Sequence, residues 1–466
     1  MSVSKDYGFS PNTKKEWLQL VKNNLKGKDF DRTLKSSLWE EINISPIYFS
    51  EDIESQKNAI NFHPEPETKG LAPRIWTNLV SVYPKDTKSS NAEILELLNS
   101  GAEGLVLHLD GTENLGLLLD QVLTEYISIY FLPESNAGLV FESIKTFISD
   151  SGINEDQLKG GLIWAPSNNI TDKQEEPNWQ LCAELLDFFS GYKDFYPIMI
   201  DFVKYADAGA SGIQELTFGI SELIENLDKL TEEGFGPSLL FQQIGYFTSV
   251  GNQYFPEIAK LKALRALISE LAFEYNVAFN TDQVHLLVAT SNFTKSLLDR
   301  ETNFIRQTYE AMSGILGGAN SLWVRPILGS VSSEIEKRVA RNISIILREE
   351  SYLGKVIDPA AGAYFLDYLQ NEIAENIRSK VKEIEIKGGW LSAYENGSIS
   401  SQIIERRDRI QREVVENQIS KVGVNRYEKP MDQFNVLDFE VIQEGSNQLF
   451  PSRESYLVEL EKFKKS

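Results

Sequence analysis

At 466 residues, 42% hydrophobic and 24% charged, the chain has the composition of a soluble globular protein. It is too long for one ordinary domain but within reach of one barrel with attached arms. A formal net charge of −22 would repel a phosphate backbone, which excludes nucleic acid as a partner.

No apolar run reaches the roughly 18 residues of a membrane span, and the opening MSVSKDYGFSPNTKKEW lacks the apolar core of a secretory signal. Cys182 is the single cysteine, so no internal disulfide forms, and a cytoplasmic location is expected. Residues 1–70 carry an amphipathic helical stretch (Trp17, Leu20, Val21, Leu25) and then a Pro-containing segment with little to bury, which predicts an N-terminal arm.

From Pro73 onward short β-branched and aromatic runs alternate with helical stretches, the pattern of repeated βα units. Eight runs are predicted as strands: RIWTNLVSV from Arg74, EGLVLHL from Glu103, ISIYFL from Ile127, GLIWAP from Gly161, YPIMIDF from Tyr196, SLLFQQI from Ser238, VHLLVATS from Val284 and SLWVRP from Ser321. Of the helices between them, AEILELLNS is closed by Gly101, and PEIAKLKALRALISELAFEYN repeats Ile258, Leu261, Leu264, Ile268 and Leu271 along one apolar face. The count matches an α/β fold of the (β/α)8 TIM-barrel type over residues 71–352, and an open doubly wound sheet is the alternative. No G-x-G-x-x-G follows the first strand, which weakens the dinucleotide-binding form of that alternative. Residues 353–430 read as a helical extension, with Gly388 and Gly389 as a helix stop, and residues 431–466 as a tail.

Residues suited to catalysis are scarce. The three histidines, His63, His108 and His285, share no metal-ligand spacing, and with one cysteine no structural zinc site is expected. A phosphate-binding G-x-x-x-x-G-K-[ST] and a nucleophile elbow G-x-S-x-G are both absent. A lone strand histidine is more often a satisfied core residue than a catalyst. The residue pattern by itself therefore reaches a cytoplasmic α/β barrel and no activity.

A set of ordered motifs goes further. YFPEIAKLKALRALISELA (254–272) resembles a helix written yF-x-EIAK-x-RA-x-R. Asp299, Asn303, Arg306, Thr308, Gly317, Gly318, Ser321 and Leu322 match a D-x-x-x-N-x-x-R-x-T and GG-x-x-SL run. RVARNISIILREES, DPAAGAYFLDYLQNEIAEN and YADAGASGIQELTFGI follow the same set, as do LKGKDFDRTL and ISPIYFSEDI near the N-terminus. Over about residues 17–427 the chain resembles the methylmalonyl-CoA mutase family.

The resemblance implies a (β/α)8 barrel whose catalytic members isomerise succinyl-CoA and methylmalonyl-CoA with adenosylcobalamin. That cofactor is carried on a flavodoxin-like domain with a D-x-H-x-x-G histidine on cobalt. Here the residues two before His63, His108 and His285 are Asn61, Val106 and Gln283, so the motif is absent and no cobalamin-binding domain is expected. The catalytic S-G-Y-H-M-Q-E-A-G-A histidine falls at Lys204 in DFVKYADAGA. R-T-H-C-Q-T-S-G-W becomes HLLVATSNF, with His285 at the arginine and Ala289 at the glutamine, and the S-L-H-T-N histidine becomes Trp323. The R-G-P-Y-x-x-M-Y segment has no recognisable counterpart after SVYPKDTKSS.

An ammonium does not replace a neutral imidazole, nor an alanine a glutamine's hydrogen bonds. These departures imply the family's small, non-catalytic subunit: no cofactor on this chain, vestigial positions at Lys204, His285, Ala289 and Trp323, and a larger catalytic partner in a heterodimer. Two other readings remain, a catalytic barrel served by a separate cobalamin-binding subunit and an acyl-CoA-binding scaffold outside any mutase. If several of Trp76, Tyr130, Trp164, Phe241 and Trp323 point inward, the barrel axis is plugged; if they lie beneath helices, it can stay open.

Overall fold

Alternation of buried β-branched runs with helices is realised as a closed parallel barrel in the computed structural model, which describes residues 13–53, 75–173, 176–428, 439, 441–442 and 448–465. His63 and the segment around it lie outside the described residues. A hairpin of β1 (Ser36–Leu38) and β2 (Ile42–Ile44) precedes the barrel. The barrel segments are β3 (Thr77–Val82), β4 (Gly104–Leu109), β5 (Ser128–Pro133), β6 (Lys159–Leu162), β7 (Phe195–Tyr196), β8 (Ile198–Asp201), β9 (Ile244–Val250), β10 (Leu286–Thr290) and β11 (Ser321–Trp323).

They run parallel in the order β7-β6-β5-β4-β3-β11-β10-β9-β8. Segments β7 and β8 are two halves of one strand, parted by Pro197, which has no N–H to give a ladder. One half pairs with β6 and the other with β9, and the Met199 N–H donates to the Trp164 carbonyl at 3.0 Å across the gap. Nine segments thus make an eight-stranded closed barrel. Gly160 sits at φ +125°, and a Cβ there would lie 2.0 Å from the Ile129 carbonyl oxygen, so close pairing of β5 with β6 requires glycine.

Seven of the eight predicted runs overlap the corresponding strand, GLIWAP by only its first two residues. The exception is SLLFQQI, where Pro237–Gln243 is a helix and the strand is the next segment, Ile244–Val250. Pro237 stands at the first helical turn, where its fixed φ and missing N–H cost nothing. The helix Tyr254–Glu274 also departs from a one-faced amphipath. Glu257, Lys260, Lys262 and Arg265 are buried along with its apolar residues. Several elements cover them. Lys260 pairs with Glu215 and Glu257, Arg265 donates to the Val284 and Gly318 carbonyls, and Lys262 pairs with Asp358. The C-terminal helix Tyr364–Ile386 packs along the outer side with Arg378 on Glu270.

Alternate residues of the strands point to the axis and pack together: Leu79, Val106, Tyr130, Ile163, Met199, Phe247, Leu287, Ala289 and Trp323. Of the five aromatic residues that decide whether the axis is open, Tyr130 and Trp323 point inward. Trp76, Trp164 and Phe241 pack outside, beneath the helices. Phe247, Met199 and Tyr196 also turn inward or pack against this core, so the axis is filled by side chains.

The described part of the arm folds back on its own chain. Its helix Lys14–Asn24 is started by a Thr13–Glu16 capping box, and Tyr48 packs on Phe365 and Tyr368.

Candidate functional site

In a parallel barrel the strands' carboxyl ends carry chemistry, so the four family positions are best followed from that end downward. The Asp201 carboxylate accepts the N–H groups of Val203 (2.8 Å) and Lys204 (3.3 Å), which starts the short helix Val203–Asp207 directly after β8. That turn carries the Lys204 side chain toward the outer helix Gly212–Glu232. Its ammonium lies 2.7 Å from the Glu222 carboxylate, which is fully buried, while the Lys204 side chain is mostly buried. Glu222 also accepts the hydroxyls of Tyr205, at 2.6 Å, and Ser167. The Trp390 indole N–H in turn donates to the Tyr205 hydroxyl at 2.7 Å. Burial and the neighbouring carboxylate push the Tyr205 phenol well above its usual range, so it stays a donor. Lys204 is thus locked into a buried network.

Ala289 and Trp323 are cross-strand neighbours. The register pairs Ala289 of β10 with Trp323 of β11 and with Ser249 of β9, and Trp323 with Leu79 of β3. The indole is 4% exposed, packs within 5.9 Å of the Phe247 ring centroid, and donates its N–H to Ser81 Oγ at 2.9 Å. A methyl side chain at 289 is the small member of a small–large pair, in which Trp323 fills the axis.

His285 sits one residue before β10, at the amino end of the barrel, opposite to the end where chemistry is expected. Its Nε2 is 2.7 Å from the Tyr130 hydroxyl, which also contacts Ser321 Oγ at 2.9 Å, and its ring stacks on Tyr196. Burial, helped by the Arg265 charge, pushes the imidazole down to about 3, so it is neutral. The four positions are therefore not one constellation. Ala289 and Trp323 adjoin, Lys204 is turned outward, and His285 lies at the far end.

Three further groups stand at the carboxyl end; two of them were not among the sequence-derived candidates, and the third contains His108, which was. Arg325, just beyond β11, forms a bidentate pair with Asp207 (2.6 and 2.9 Å), and its Nε donates to the Thr290 carbonyl at 2.7 Å. Asn292 adds two donors to Asp207, and the N–H of Ser452 in the C-terminal segment reaches the Asp207 carbonyl at 2.8 Å. The mouth is thus bridged from β8 to β11 by a buried ion pair. Nearby, Lys295 pairs with Glu310, and burial pushes its ammonium down to about 8. His108 closes the rim, its Nδ1 on Glu134 and its ring stacked on Tyr83 at 3.9 Å. A sequence signal existed for Asp207, which occupies the acidic position of the DAGA motif, and for His108, near the end of a predicted strand.

Among the described residues, no group of three His, Cys, Asp or Glu could hold a metal ion, and no helix is long and apolar enough to cross a membrane. The family model described as methylmalonyl-CoA mutase matches residues 109–454. The chain belongs to this family.

Among its relatives, a methylmalonyl-CoA mutase small subunit of Porphyromonas gingivalis is 27% identical over 409 residues, covering 85% of this chain and 66% of that protein. A methylmalonyl-CoA mutase small subunit of Streptomyces virginiae is 27% identical over 430 residues, covering 87% and 69%. A methylmalonyl-CoA mutase of Cereibacter sphaeroides is 26% identical over 473 residues, covering 91% and 66%. The chain spans about two thirds of the length of these relatives. Within the family, its barrel combines a packed axis with an ion-paired mouth.

Proposed function

We propose that this chain is the small structural subunit of a heterodimeric, adenosylcobalamin-dependent methylmalonyl-CoA mutase. A larger homologous chain would bind the cofactor and interconvert succinyl-CoA and methylmalonyl-CoA. The observation that carries this reading is the Trp323 indole, packed across the axis on Phe247 and tied to Ser81. An acyl-CoA whose arm lay along that axis would need small polar lining where these rings stand. Lys204, at the position of a catalytic histidine, is held by Glu222 away from the axis.

The described residues do not fit cobalamin either. His108 is engaged with Glu134, and His285 is sealed at the amino end. Two relatives of about 27% identity are named small subunits, which supports the same assignment. The chain then contributes interface and stability in a cytoplasmic enzyme of propionate metabolism, and chemistry is left to its partner.

Co-expression with a larger homologue carrying D-x-H-x-x-G tests this. The two chains should co-purify in equimolar amounts, the partner should lose activity or heat resistance without this chain, and this chain alone should not be retained on immobilised coenzyme A. Isomerisation by this chain with only a separate cobalamin-binding domain would overturn the assignment.

A further inference from the structure

The carboxyl ends of β9 and β10 border a cavity of about 260 Å3 that the mutase reading leaves without a role. Ser249 and Gly251 at the end of β9 and Ser291 just after β10 line it from the barrel side. Arg406 and Ile410 of the helix Ser398–Val415 line it from outside. It opens to solvent beside Asn252 and Gln253, which are both exposed. In a parallel barrel this is the end at which ligands are met.

The hydrogen bonds already made around the cavity decide what it can hold. Three carboxylates line it, and each has a cation: Glu215 and Glu257 share Lys260, and Glu454 has Lys421. Lys260 is fully used as well, with a further N–H on the Ser249 carbonyl at 2.8 Å. Spare capacity therefore lies with donors. Ser249 and Ser291 are 2% and 5% exposed, and neither hydroxyl has a partner among the described residues. Buried hydroxyls are nearly always bonded, so two open ones at one cavity call for a polar group. Of the five N–H donors of Arg406, one is bonded among the described residues, from Nη1 to the Gly209 carbonyl at 2.7 Å. Its ion pair with Glu40, at 3.6 Å, is beyond hydrogen-bond reach.

We infer that this cavity binds a small aliphatic carboxylate, its oxygens on the Arg406 guanidinium and the two serine hydroxyls and its tail against Phe293, Ile410 and Ile419. A guanidinium offers paired donors that match the two oxygens of a carboxylate, so the contact is directional as well as charged. The three apolar side chains line the same cavity and suit a ligand with a single polar end. A phosphate, polar on every face, would set oxygens against them. The site uses none of the four family positions, so it is independent of the assignment as a structural subunit.

Titration of the full chain with butanoate tests this, read by calorimetry and by saturation-transfer nuclear magnetic resonance. Saturable binding with a Kd on the order of 1 mM is expected, with butan-1-ol and inorganic phosphate each about tenfold weaker. No saturation at about ten times that concentration, or equal binding of the alcohol or the phosphate, would overturn the proposal. Ser249→Ala combined with Ser291→Ala removes hydroxyls that hold nothing in the protein. Its Tm should therefore not fall, while butanoate binds about fivefold more weakly. Arg406→Gln should weaken binding by about tenfold or more. That side chain also holds the Gly209 carbonyl, so the fold of the variant is first verified by circular dichroism. Unchanged affinity in the double serine variant would place the ligand elsewhere and refute the site.

Discussion

Truncating the axial indole, Trp323→Ala, tests whether the barrel is packed through its centre. A tryptophan buries about 150–250 Å2, which at about 25 cal/mol per Å2 is roughly 4–6 kcal/mol. Measured truncations of buried aromatic residues cost about 3–5 kcal/mol, including the cavity left behind. The lost hydrogen bond to Ser81 adds about 1 kcal/mol. Ala289, directly across the strand pair, has no side chain long enough to refill the space. The expected destabilisation is therefore about 4–5 kcal/mol, read as a shift of the urea midpoint by far-ultraviolet circular dichroism with the slope unchanged. Trp323→Phe, which keeps most of the ring and loses only the N–H, should cost about 1–2 kcal/mol. A loss below about 1.5 kcal/mol for the alanine variant would mean that the indole does not span a packed axis, and the argument for a filled barrel would fail.

Lys204→Met should cost about 3–5 kcal/mol, because Glu222 keeps its hydroxyl donors but loses its counter-charge in a buried site. Combining it with Glu222→Gln should restore much of that loss; strictly additive costs in urea unfolding would rule the pair out as a coupled unit. His285 gives a pH dependence. Its folded-state pKa of about 3 lies below the ordinary 6.5, so above pH 6.5 both states are neutral and nothing is lost. Between pH 6.5 and 3 the unfolded chain takes up a proton that the folded one refuses, and stability falls by about 1.4 kcal/mol per pH unit. His285→Gln should flatten that slope by one proton in acid titrations followed by fluorescence, and an unchanged slope would show that His285 protonates within the fold.

The barrel was legible because each βα unit repeats the same local pattern, and seven strands needed no tertiary information. The sixth failed at SLLFQQI, where a short apolar run suits a strand or a buried helix equally. The deciding mark was Pro237 after Gly236, a helix start rather than a strand. That shift also hid Phe247, the ring on which Trp323 packs. The site positions could be located by motif, but their fates could not. Nothing local links Lys204 to Glu222, or Asp207 to Arg325, and a buried ion pair exists only once distant elements meet.

The contact between Ala289 and Trp323 also constrains the order in which substitutions can be tolerated. A glutamine placed at 289 would push a methylene and an amide, four extra heavy atoms, into an axis already filled by the indole, at about 1–3 kcal/mol for overpacking and more for the stranded polar group. A histidine at 323 with alanine opposite would leave a void instead. Each single change is disfavoured by the other residue, so the two positions can change only together. The residue at one position of this pair thus limits what the other can become, and the barrel is held in its filled state by coupling between two neighbouring strands.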